Sequence, residues 1–186
     1  MPNPVQRFCL YDAKEVDDVL RRMAHHAAIL LGDRPAALVG ILRRGEPLAR
    51  LLLQHLAQLT GQPEWPLYPL KVKRYADDLS LLHPHTLLAE NPQLAALDLA
   101  NTPLLVVDDV LYEGHSLLRT CAYLAHLGAT EVRTAVLVDR HACRQPVRAD
   151  IVGVHLQVAA DDVVECHVPP YEDQLRIEVW RHGATH

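Results

Sequence analysis

The chain has 186 residues, 49% of them hydrophobic, and carries 18 Lys and Arg against 23 Asp and Glu, a formal net charge of -5 with His neutral. That length suffices for one well-buried core and does not call for two domains, so a single domain over 1–186 is expected. The acidic balance offers no bulk attraction for nucleic acid, although a local basic patch is compatible with it; with no basic start leading into an apolar run and no apolar stretch of spanning length, neither a signal peptide nor a membrane helix is expected.

Asp12 precedes a helical pattern and Glu15 follows three positions later, the spacing of a capping box in its Asp form. Val16, Val19, Leu20, Met23, Ala27 and Leu30 recur at helical spacing, and Gly32 is placed to end the helix. Ala36 to Leu42 is apolar without alternation, as in a strand covered on both faces. Arg43, Arg44 and Gly45 follow it, Pro47 suits a first helical turn, and a leucine-rich helix to Leu59 closes at Gly61. Trp65 to Tyr75 alternates and predicts a half-exposed strand. Ala76 to Asn101, broken by His83-Pro84-His85 and Asn91-Pro92, predicts a long loop with a short helical turn.

Strand, glycine loop and helix are expected from Leu104 to Leu127, with Gly128 as terminator. Val132 to Asp139 reads as the next core strand, joined by a short connection that suits a right-handed parallel crossover. Ile151 to Leu156, Val163 to Val168 and Leu175 to Arg181 are shorter strands that complete the sheet and a small hood. The fold class is therefore α/β: a mostly parallel, doubly wound sheet flanked by helices, with ligands at the carboxyl ends of the strands. Cys9, Cys121, Cys143 and Cys166 are scattered without a CxxC pair, which fits a reduced, cytoplasmic location. His25-His26 and His83-Pro84-His85 come without a His-Glu-x-x-His or Cys/His framework and do not point to a specific metal site.

The chemistry concentrates in LLVVDDVLYEGHSLLRT, Leu104 to Thr120. A buried apolar run delivers two adjacent carboxylates, Asp108 and Asp109, and a glycine loop then opens an amphipathic helix. Unpaired N–H groups at a helix start accept a phosphate, and carboxylates suit ribose hydroxyls or a hydrated divalent ion. A plain strand–turn–helix, its acids capping the turn, is the alternative reading of the same residues.

This stretch resembles the phosphoribosyl diphosphate (PRPP) motif of type I phosphoribosyltransferases, and more narrowly that of the pyrimidine operon regulator and uracil phosphoribosyltransferase family, whose motif reads close to VDDVLYTGRT. Leu38 to Leu52 resembles that family's strand and pyrophosphate loop, Tyr75 to Ser80 its flexible loop, and Leu137 to Arg140 with Pro146 to Asp150 its base-site region. The resemblance implies a type I phosphoribosyltransferase-like fold and transfer of phosphoribose from PRPP, with Mg2+, to a pyrimidine, uracil first, releasing pyrophosphate, as in nucleotide salvage. It also leaves open a nucleotide-sensing RNA-binding regulator of pyrimidine genes, or a non-catalytic nucleotide-binding homologue. Self-association into a homo-oligomer is expected.

On the same resemblance Asp108 and Asp109 hold the ribose and help position the metal, and with Arg44 they form the catalytic set. Tyr112, Glu113, Gly114, His115 and Ser116 join Asp108 and Asp109 around PRPP. Arg43, Arg44, Gly45 and Arg74 meet the pyrophosphate, where Arg suits bidentate contacts; Arg44 is favoured over Arg43 because only Arg44 and Gly45 match the family's Thr-Arg-Gly. Val138, Asp139 and Arg140 fall at the base site, although Asp139 equally suits capping of its own turn. Tyr112 stands where purine-using relatives carry an acidic residue, which implies a pyrimidine acceptor.

Four departures qualify the resemblance. Glu113 replaces a threonine: turned inward its carboxylate would repel a phosphate, whereas turned to solvent it would leave only its N–H facing the anion. His115 stands in place of an arginine and Ala76 in place of a loop arginine, with Lys73 and Arg74 as partial substitutes. His141-Ala142-Cys143 and Val154 replace basic residues of the regulator's RNA surface, while Arg148 and His25 remain, so RNA binding is disfavoured.

Overall fold

The computed structural model describes residues 5–61, 65–72 and 91–181. Strand β1 (Gln6–Tyr11) enters helix α1 (Ala13–Leu31) through the predicted capping box. The Glu15 N–H donates to the Asp12 carboxylate and the Asp12 N–H to the Glu15 carboxylate, each at 2.9 Å. Gly32 ends the helix at φ 62°. Strand β2 (Ala37–Ile41) is buried along its whole length, as its unbroken apolar run requires. Helix α2 (Gly45–Thr60) holds Pro47 in its first turn and closes on Gly61 in the left-handed region.

Strand β3 spans Leu67–Leu70, shorter than the predicted run from Trp65; residues 73–75 and the Tyr75 to Ser80 segment, with Arg74 and Ala76, lie outside the described residues. The predicted helical turn is α3 (Pro92–Ala95), capped by the Asn91 side chain. Strand β4 (Leu104–Leu111) runs through the acid pair instead of stopping before it, because Val110 and Leu111 stay in register with Val138 and Asp139 of β5 (Val132–Asp139). Helix α4 (His115–His126) lies between those two strands in sequence and is followed by Gly128 at φ 101°. Strand β6 (Ile151–His155) adds beside β5.

These five strands form one parallel sheet in the order β3-β2-β4-β5-β6. Alternate residues of β4 feed opposite cores. Leu105 and Val107 join α1 and α2 on one face, and Leu104 and Val106 join α3 and α4 on the other. The sheet is therefore doubly wound. Its direction reverses between β2 and β4, the place where open α/β sheets bind ligands beyond the strands' carboxyl ends.

The hood is a second sheet, antiparallel, in the order β1-β8-β7, where β7 is Val163–His167 and β8 is Arg176–Arg181. Sequence patterning supplies β7 and β8 but not β1, whose residues are exposed almost throughout and show no buried face to read. Val164, Cys166, Ile177 and Val179 join the hood to the core shared by α1 and α2. Among the described residues no helix is long and apolar enough to cross a membrane.

Candidate active site

The end of β4 places Asp108 and Asp109 at the reversal point, 9% and 7% exposed. Each carboxylate bonds to the next residue's backbone within the strand: Asp108 Oδ1 accepts from the Asp109 N–H and Asp109 Oδ1 from the Val110 N–H, both at 2.9 Å. They face a cavity of about 710 Å³ that also takes in Arg44, Tyr112, Glu113, Gly114, His115, Ser116 and Arg140. That size accommodates a nucleotide-scale ligand.

Helix α4 opens into this cavity. Its N-cap, Gly114, sits at φ 88° and provides no capping side chain, so its first-turn N–H groups are left for a ligand or solvent. Glycine is required at this position for a second reason. A Cβ there would press against Cys143 Sγ and come within 2.8 Å of Val147 Cγ2. The residue therefore lets the 143–147 loop close behind the helix start as well as permitting the turn. Gly45 works the same way at α2, where a Cβ would collide with the Val107 carbonyl oxygen and lie 3.2 Å from Asp108 Cα. It brings the loop after β2 against the acid pair without itself lining the cavity.

The Glu113 carboxylate sits between His115 and Arg144, 3.6 Å from His115 Nε2 and 3.8 Å from Arg144 Nη1. Its backbone carbonyl accepts from the Arg144 N–H at 3.0 Å. The acid is thus drawn toward His115 and Arg144 while Glu113 still lines the cavity, an arrangement intermediate between the inward and solvent-facing alternatives.

Arg44 projects into the cavity and Arg43 does not. Arg43 lies over the Tyr171 ring, 4.6 Å from its centroid, and the Leu42–Arg43 peptide bond is cis. Arg44 Nη2 donates to Glu172 at 2.6 Å and to Glu165 at 3.3 Å. Hydrogen bonding to Glu172 raises the Arg44 pKa against the opposing effect of burial, and the Asp109 and Glu165 charges add to the rise. Burial pushes the Glu172 carboxyl up, but the bonds from Arg44 and the Val168 N–H outweigh it and hold the group below its ordinary range. An anion entering the cavity would compete with these carboxylates for the Nε and Nη2 donors of Arg44.

Of the three predicted base-site residues, only Arg140 lines the cavity. Its guanidinium stacks over Tyr112 at 4.4 Å and donates to the Asp162 carbonyl at 2.9 Å. Val138 is wholly buried in the core, since β5 passes beneath the site. Asp139 accepts from the His141 N–H at 2.8 Å, the turn-capping role open to it from sequence, and lines a separate cavity of about 500 Å³.

Sequence reasoning missed Arg119 and the hood wall: Asp161, Asp162, Val163, Glu165, Cys166 and Trp180. Arg119 was findable, because it stands one helical turn after Ser116 and shares its face. The hood residues carry no local motif. Cys166, wholly buried, has its thiol pushed well up by burial, with Asp109 adding to the effect, so it is not poised as a thiolate nucleophile.

Residues 10–174 match the phosphoribosyl transferase domain. The chain is 35% identical over 182 residues to the Bifunctional protein PyrR of Thermus thermophilus, covering 94% of this chain and 97% of that protein. The Bifunctional protein PyrR of Deinococcus radiodurans is 35% identical over 158 residues, with 84% and 85% covered. Among solved structures, the hypoxanthine phosphoribosyltransferase of Trypanosoma cruzi superimposes with a TM-score of 0.73 over 94% of this chain and 97% of that one, at 15% identity. At that identity the likeness speaks for the fold alone.

Proposed function

Because the chain belongs to the phosphoribosyl transferase family and resembles the PyrR proteins over most of its length, we propose that it transfers phosphoribose from PRPP to a pyrimidine base, uracil foremost, giving UMP and pyrophosphate. A ring nitrogen of the base attacks C1′ of PRPP and gives up its proton to solvent, while the bond from C1′ to the pyrophosphate oxygen breaks and its electron pair leaves with pyrophosphate. Positive charge develops on the ribose, so the work of the protein is positioning and electrostatics. The observation that carries this reading is the buried acid pair set beside a helix start without a side-chain cap, in one cavity.

Asp108 and Asp109 hold the ribose hydroxyls and face the developing cation. The first-turn N–H groups of α4 and the Ser116 hydroxyl take the 5′-phosphate, and Arg44 meets the pyrophosphate on exchanging its carboxylate partners. The donor set fits magnesium accompanying PRPP: Asp108 and Asp109 offer hard oxygens, and the ion supplies neutralisation of the departing pyrophosphate. With Val138 and Asp139 turned elsewhere, base recognition falls to Arg140, Tyr112 and the backbone between them. The cytoplasm, where PRPP and free bases occur together, is the compartment this chemistry suits.

Nucleotide formation with uracil, cytosine, hypoxanthine and guanine, each with PRPP and Mg2+, followed by chromatography, tests the reading. Uracil is expected to react fastest. Two buried charge-assisted contacts at about 1.5–3 kcal/mol each predict that Asp108→Asn with Asp109→Asn weakens PRPP binding at least about 100-fold, with unchanged circular dichroism. Preference for a purine would sink the pyrimidine assignment. PRPP binding without product from any base would make the protein a non-catalytic binder.

A further inference from the structure

We propose that Asp139, His141 and His155 form a binding site for a divalent first-row transition-metal ion of the zinc class. The three residues offer one carboxylate oxygen and two imidazole nitrogens, all within 4.8 Å of one another. His141 Nε2 and His155 Nδ1 stand 3.0 Å apart. Two nitrogens bound to one zinc ion at about 2.0–2.1 Å are separated by a comparable distance at the angles such ions adopt. The spacing suits a chelating pair, and the contact between the two ring nitrogens is what an ion would replace.

The backbone brings these groups together by means independent of any ion. Asp139 ends β5 and His155 ends β6, directly opposite each other in the parallel ladder, so the carboxylate and one imidazole issue from adjacent strand ends. His141 turns back over them because its backbone is left-handed, φ 54°, an uncommon conformation outside glycine. Asp139 Oδ1 accepts the His141 N–H at 2.8 Å and holds that turn, and the carboxylate offers an oxygen to the same place as the two imidazoles. The imidazole rings lie 4.9 Å apart and 19° from parallel. The bond from the His141 main-chain N–H to Asp139 fixes the turn that carries the imidazole, so the backbone and not the ion sets where His141 stands.

The ligand chemistry selects the ion. Two imidazoles and a carboxylate suit zinc, cobalt or nickel, whereas Mg2+ prefers oxygen donors and retains its waters. His141 and His155 are exposed and Asp139 is half-buried, so the ion exchanges with solvent and a water completes its coordination. This site is separate from the one that would hold magnesium at Asp108 and Asp109, and neither proposal depends on the other.

Zinc binding should be measured by isothermal titration and by competition with a chromophoric indicator, on the wild-type protein and on His141→Gly with His155→Asn. Glycine suits the positive φ at 141, and circular dichroism checks that both proteins keep their fold. One equivalent of zinc is expected on the wild type, unaffected by millimolar Mg2+, with cobalt giving visible ligand-field bands. Loss of supporting partners at metal sites costs about 10–100-fold in affinity, so loss of two ligands is expected to cost at least about 100-fold. Asp139→Asn alone should weaken zinc binding while the ligand-field bands shift. Equal zinc affinity in wild type and the double variant, or displacement of zinc by Mg2+, would overturn the site, and binding carried by the chain's other histidines would appear as the first of these.

Discussion

At Glu113 a carboxylate stands beside a helix N-terminus and in front of a proposed phosphate site, with Arg144 and His115 drawn up to it at 3.8 and 3.6 Å. Pairs this exposed contribute about 0.2–1 kcal/mol, enough to bias where a side chain rests but not to bury a charge. Glu113→Gln is therefore expected to change PRPP affinity by less than about tenfold, since roughly 1.4 kcal/mol is needed for a factor of ten. Titration calorimetry with PRPP and Mg2+ checks this. A gain of 100-fold or more would mean that the carboxylate turns inward and meets the phosphate directly.

On the scale of elements, the site depends on how closely loops approach strand and helix ends. Gly114 is the tightest such point, where positive φ and the packed 143–147 loop exclude a side chain together. A non-glycine left-handed residue costs about 1–2 kcal/mol and overpacking about 1–3 kcal/mol. Gly114→Ala should accordingly lower stability by about 2–5 kcal/mol in urea unfolding and weaken PRPP binding with it. Full stability would show that the loop yields freely. At the opposite ends of the strands, Glu131 binds Arg34 at 2.6 Å and Arg133 at 3.2 Å. The hydrogen bond from Arg34, followed by that from Arg133, lowers its carboxyl to about 2. A depressed carboxyl contributes stability that is fully present above its unfolded value, near 4.5, and is lost as pH falls through about 2. Glu131→Gln should thus lower thermal stability at neutral pH and flatten the acid limb between those two values, the two proteins converging as pH falls toward about 2, and an identical profile in the variant would contradict the assignment.

Across the whole molecule the formal charge of -5 sets the terms for any polyanion. The surface after β5 presents His141, Ala142 and Cys143, and Arg144 is engaged with Glu113. Neutralising phosphates is the main source of RNA affinity, and this chain has few uncommitted cations there to do it. Specific binding to a pyrimidine-operon leader RNA is expected to be weak or undetectable at physiological salt, with or without uridine nucleotide. Nanomolar, nucleotide-dependent binding in a gel-shift assay would reverse that and promote regulation to the leading function. The hood couples to the same economy of charge. Arg44 is spent on Glu172 and Glu165, so hood and parallel sheet meet through the very residue proposed for pyrophosphate.

Local rules were enough for everything that a short stretch of chain decides. The capping box at Asp12, the continuous apolar runs of β2 and β4, the glycines ending α1 and α2, and the acid pair beside a helix-opening glycine all depend on residues within a few positions of each other, where backbone sterics and hydrophobic period act directly. Doubly wound architecture followed from their order. What the tertiary structure alone decided involves partners far apart in sequence. Strand β1 has no buried face and exists because β8 pairs with it. Arg144 beside Glu113, the carboxylates that occupy Arg44, and His155 brought against His141 and Asp139 arise from loops meeting at strand ends. No periodicity encodes those meetings, because they are fixed by which strands neighbour each other and by the space that a missing Cβ leaves between them.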